Sequence, residues 1–73
     1  MAYRIVVPCE SERCPGLAVL GIGRSEQEAL EIARRLSALG RAYGLCPQCG
    51  RWRLYQLGSP GPQRREPTIE PAG

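Results

Sequence analysis

Apolar and polar positions alternate from Tyr3 to Val7, with Tyr3, Ile5 and Val7 on one side, and Leu17 to Ile22 is a short apolar run bounded by Pro15, Gly16 and Gly23. Both patterns predict strands. From residue 25 onward the period becomes helical. Ala29, Ile32, Ala33, Leu36 and Leu39 recur on one face with Leu30 at its margin, while Glu26, Gln27, Glu31, Arg34 and Arg35 take the other. Ser25, followed three residues later by Glu28, forms a capping box at the helix start, and Gly40 supplies the C-terminal stop. Arg41 to Leu45 and Trp52 to Leu57 read as two further strands, placed as the arms of a hairpin. The pattern predicts an α+β module in the order strand, strand, helix, strand, strand, with two hairpin-like halves and the helix packed on the sheet.

The pattern ends at residue 57. Residues 58 to 73 hold four Pro and three Gly, with Ile69 as the one sizeable apolar side chain, and the charges of Arg64 and Arg65 are matched by Glu66 and Glu70. Such a segment does not repay its ordering entropy, so a domain over 1–57 and a disordered Pro/Gly-rich tail over 58–73 are expected.

Length then limits how the domain is held together. In a chain of 73 residues, an apolar core seldom supplies more than about 3 to 5 kcal/mol. The composition also narrows the chemistry: His, Lys, Asp and Asn are absent, every cation is Arg and every acid is Glu. Without His or Asp, the usual general base and the usual triad partners are missing, and no catalytic residue is expected. The formal net charge of +3 falls to about +1 when four thiolates hold a divalent ion. There is no apolar run of membrane-spanning length and no basic, apolar leader, so the expectation is a soluble cytoplasmic protein with no membrane partner and no small-molecule substrate.

The four cysteines fall as Cys9-x4-Cys14 and, after 31 intervening residues, Cys46-x2-Cys49. Two close pairs separated by a structural unit are how four-sulfur zinc sites are built, because each pair grips the metal from one turn and the fold joins the turns. In Cys46-Pro47-Gln48-Cys49-Gly50, Pro47 fixes φ after the first ligand and Gly50 permits a positive φ where the chain turns away. Cys14-Pro15-Gly16 repeats the punctuation. Two disulfides and a redox-active CxxC are the alternatives. A reducing compartment disfavours the first. The second belongs at a helix N-terminus, whereas Arg51 to Leu57 has strand character. Apparent zinc binding of about 10 to 16 kcal/mol exceeds what the core supplies, so the metal is expected to carry the fold.

The segment Cys46-Pro47-Gln48-Cys49-Gly50-Arg51-Trp52 resembles the end of small phage and bacterial four-cysteine zinc-ribbon-like proteins, in which a CPxCG-x-W motif follows a Ser-capped helix and an earlier Cys pair. Arg53 stands where those proteins carry His. The resemblance implies a zinc-stabilised fold and a nucleic-acid or transcription setting; the reading of the whole chain is an accessory or regulatory binding protein, with nucleic acid or a protein of the transcription machinery, such as RNA polymerase, as the expected partner.

Two further features complete the reading. Gly21-Ile22-Gly23 before the helix lacks the third glycine of a dinucleotide fingerprint and reads as a simple strand-to-helix turn. Residues 41 to 57 contain three Arg and no acid, and a hairpin there allows Arg41, Tyr43, Arg53 and Tyr55 to share one face, with Trp52 and Leu54 turned inward. Together with Arg51 these residues form the candidate partner-binding set, since Arg beside an exposed aromatic suits phosphate neutralisation and base stacking.

Overall fold

The computed structural model describes residues 2–10, 13–58 and 65–72. In chain order the elements are β1 (Tyr3–Pro8), β2 (Leu17–Gly23), α1 (Glu26–Leu39), β3 (Arg41–Cys46), β4 (Arg51–Gln56) and β5 (Thr68–Pro71). The α+β class and the hairpins β1–β2 and β3–β4 match the expectation, but the described residues form five strands, all antiparallel, in the spatial order β4-β3-β2-β1-β5.

The helix begins and ends where its punctuation places it. Ser25 Oγ accepts the Glu28 N–H at 3.2 Å, and Gly40, at φ 81°, sends its N–H to the carbonyls of Leu36 and Ser37. Ala29 and Ala33 are buried, and with Ile32 and Leu36 they pack against Ile5, Tyr3, Leu20 and Ile69. Small residues at the first turn let the helix lie close to the sheet. At Gly23 the approach is tightest, since a Cβ there would stand 2.7 Å from the Ala29 nitrogen. Between Ile5 and Val6 the β1–β2 register shifts, so Ile5 opposes Gly21 while Val6 opposes Val19, and the extra residue Leu20 packs into both core clusters.

β5 corrects the expected disordered tail. Composition gives residues 58 to 73 little to bury, yet the free edge of β1 offers them an unpaired backbone ladder. Ile69 pairs with Ile5 and joins the core beneath the helix, Arg4 forms an ion pair with Glu70, and the Ala72 N–H donates to Ala2 O at 2.9 Å. Upstream, Leu57 and Arg65 form an isolated parallel bridge, and Arg65 donates its N–H to Gln56 O at 2.9 Å. The domain therefore continues past residue 57, and residues 59–64 lie outside the described residues.

The contact at Gly23 yields a paired test. Gly23→Ala should destabilise the protein by about 1 to 3 kcal/mol in denaturant unfolding, because the new methyl meets helix backbone that cannot move aside cheaply. Gly21→Ala should change stability by less, since its nearest neighbour is the Ile32 side chain at 3.5 Å, an ordinary van der Waals contact.

Candidate metal centre

All four cysteines come together at one end of the sheet. Cys9 follows β1 and donates its N–H to Gly16 O at 3.1 Å, which ties the connection between β1 and β2 into a loop that carries Cys14. Cys46 ends β3, and the turn it opens is closed by the Gly50 N–H donating to Cys46 O at 2.7 Å, with Gly50 at φ 67°. Hence each hairpin contributes its own turn and two sulfurs, and the sheet brings the turns together.

The sulfurs lie within 4.8 Å of one another, with Cys9 to Cys49 at 3.8 Å and Cys14 to Cys46 at 3.4 Å. These separations are far beyond a disulfide bond of about 2.05 Å, and all four cysteines are free. They bracket the roughly 3.8 Å edge of a tetrahedron built on metal–sulfur bonds of about 2.3 Å. Cys46 is fully buried and Cys9 nearly so, whereas Cys14 and Cys49 are half-buried. A tetrahedral four-sulfur donor set suits zinc or iron.

Backbone donors prepare the sulfurs for negative charge. The Cys49 N–H points at the Cys46 sulfur and lowers its pKa to about 6; burial opposes this, while the Cys14 thiol and the Gln48 N–H reinforce it. Cys14 behaves in the opposite way. The Gly16 N–H pulls its pKa down, but hydrogen bonding to Cys46, burial and the neighbouring Cys9 outweigh that pull and raise it to about 11. For Cys49 the Arg51 N–H likewise acts downward, and burial with the Cys46 and Cys9 sulfurs wins, so this thiol is also raised. Four sulfurs so close cannot all ionise without a cation among them.

The candidate binding face does not assemble as expected. The four residues between Cys46 and Arg51 are an even number, so each odd-numbered residue of β3 opposes an even-numbered one of β4: Arg41 pairs with Gln56, Tyr43 with Leu54, Gly44 with Arg53 and Ala42 with Tyr55. Arg41 and Tyr43 therefore share a face with Trp52 and Leu54, while Arg51, Arg53 and Tyr55 lie on the other. Tyr55 is fully buried among Val7, Cys9, Cys46 and Leu57, and Trp52, expected inside, is 66% exposed. This role of Tyr55 was invisible in the alternation. Its hydroxyl is buried without a hydrogen-bond partner among the described residues; burial raises its pKa and the neighbouring Cys9 adds to the rise, against a downward pull from the Glu10 backbone.

The thiol chemistry fixes the sign of a pH effect. Metal binding must displace the protons that Cys14 and Cys49 retain at neutral pH, whereas Cys46 has already ionised above about 6 and loses that advantage only below it. Affinity for zinc should rise by at least about a hundredfold per unit between about pH 6.5 and 8, one factor of ten for each proton displaced. Competition against a chelator of known pH response measures the slope, and an affinity independent of pH would contradict this view of the site.

Comparison of the chain with protein-family models, with curated proteins and with solved structures finds no match. The functional reading rests on the four sulfurs and on the surfaces that they organise.

Proposed function

We propose that the chain is a zinc-stabilised binding module of accessory or regulatory character rather than an enzyme. The observation that carries this reading is the closed donor set: four sulfurs within 4.8 Å, contributed in pairs by two hairpins. Four thiolates fill a tetrahedral ion, and a hydrolytic zinc keeps one position open for water. The ion then serves the fold. Function passes to surfaces, and one uncommitted surface is the sheet face that carries Tyr43, Trp52 and Leu54. Among the described residues no helix is long and apolar enough to cross a membrane.

Of the two partner classes, we favour a protein over nucleic acid. Stacking platforms for single strands combine aromatics with a cationic groove, and here the β3–β4 register sends Arg51 and Arg53 to the side opposite Tyr43 and Trp52. A nucleic-acid partner would make binding fall steeply with salt and lose about one unit of slope for each of Arg41, Arg51 and Arg53 replaced.

Elemental analysis of the reduced, folded protein should find one zinc per chain, and Cys49→Ser should abolish stoichiometric metal and the cooperative thermal transition together. A folded, reduced preparation without metal would overturn the zinc reading.

A further inference from the structure

We infer that the sheet face opposite the helix is an interface between two copies of this chain, an inference that rests on the proposed role of that face as a docking surface. Its composition follows from register. Thr68, Val6, Val19, Leu45 and Trp52 oppose one another in sequence across β5, β1, β2, β3 and β4, forming one row that crosses the whole sheet. Ile22 opposite Arg4 and Tyr43 opposite Leu54 lie in flanking rows on the same side. The helix covers the other side, where Ile5 opposes both Gly21 and Ile69 and packs with Ala29 and Ala33.

This face is apolar, with exposed side chains set around a buried centre at Val6. Trp52, Tyr43 and Ile22 are 66%, 67% and 62% exposed, and Leu54 adds to the patch at 39%. A soluble domain of this size gains nothing from leaving such a patch in water, and a patch of this kind marks an interaction site.

Three observations select a second copy as the occupant. The face is nearly neutral, because Arg4 is paired with Glu70 and Arg41 is the one cation on it without an ion-pair partner among the described residues. Two copies can therefore meet without stacking like charges, whereas a polyanion finds little to hold. The molecule measures 31 × 25 × 15 Å, so a face that spans its two longer dimensions is at most close to 31 × 25 Å. That area is near the roughly 800 Å² per partner that a stable protein interface buries. Finally, an apolar row that runs the full width of the sheet meets its own copy across a two-fold axis as apolar against apolar, giving two sheets face to face between two outer helices.

Sedimentation analysis of the metal-loaded full chain over micromolar concentrations tests the inference. The expected result is a reversible dimer in which Trp52 emission shifts to the blue as dimer forms. Trp52→Glu should raise the dimer dissociation constant about thirtyfold or more, with zinc content and circular dichroism unchanged. Leu39→Glu, at the exposed end of the helix, should leave the dimer intact. A wild-type monomer throughout, or a Trp52→Glu protein that dimerises as before, overturns the inference. A monomer whose Trp52 emission responds to an added oligonucleotide also overturns it and assigns the face to nucleic acid, leaving the docking role itself standing. Loss of zinc from the wild type would instead count against the metal reading, which elemental analysis scores separately.

Discussion

The weakest line in this sheet runs between β2 and β3, and the sulfur cluster spans it. β1 and β2 register over six residue pairs and β3 and β4 over six, whereas β2 and β3 share the single pair Val19 and Leu45. Two close sulfur contacts cross this line, Cys9 to Cys49 and Cys14 to Cys46. Without a cation the same four groups push against one another, as the raised pKa values of Cys14 and Cys49 indicate. A cation held among them would turn that repulsion into coordination and clamp the β3–β4 hairpin to the rest of the fold. The apolar cluster next to the sulfurs spans the same line, since Tyr55 and Leu57 of the second half pack against Val7 and Ala18 of the first.

Sequence patterning reached the elements and the ligands more readily than the faces. The helix was legible because its signals are local: Ser25 caps it, Gly40 stops it, and the alanines and leucines keep a period that nothing distant alters. Cys9, Cys14, Cys46 and Cys49 were legible because ligand spacing within a turn is also local. The inversion of β4 was not. Which of Trp52 or Tyr55 points inward depends on the parity of the turn between Cys46 and Arg51, and a shift of one residue exchanges the two faces. The aromatic character of both residues gave no guidance. β5 failed for a different reason, because Ile69 and Glu70 find their partners Ile5 and Arg4 at the other end of the chain. Composition measures what a segment can bury by itself and says nothing about an open strand edge waiting for it.

The end of the sheet that carries the four sulfurs is closed, with Cys46 fully buried and backbone N–H groups turned toward the sulfurs. One sheet face is spent on the helix. The opposite face is left with Tyr43, Trp52, Ile22 and Leu54 in water, and the positions of Tyr43, Trp52 and Leu54 relative to Ile22 depend on the β3–β4 hairpin being held in register with β1 and β2. A site that fixes this hairpin therefore also fixes the shape of the face.

Native-state hydrogen exchange, recorded on the zinc-loaded chain and again after chelation, tests this dependence most directly. The account predicts that amides of β3 and β4 lose their protection when the metal is removed and regain it when zinc is restored, with the exchange beginning at the Val19–Leu45 junction. Amides in β3 and β4 as well protected without metal as with it would show that packing alone holds the two halves together, and would contradict the clamp.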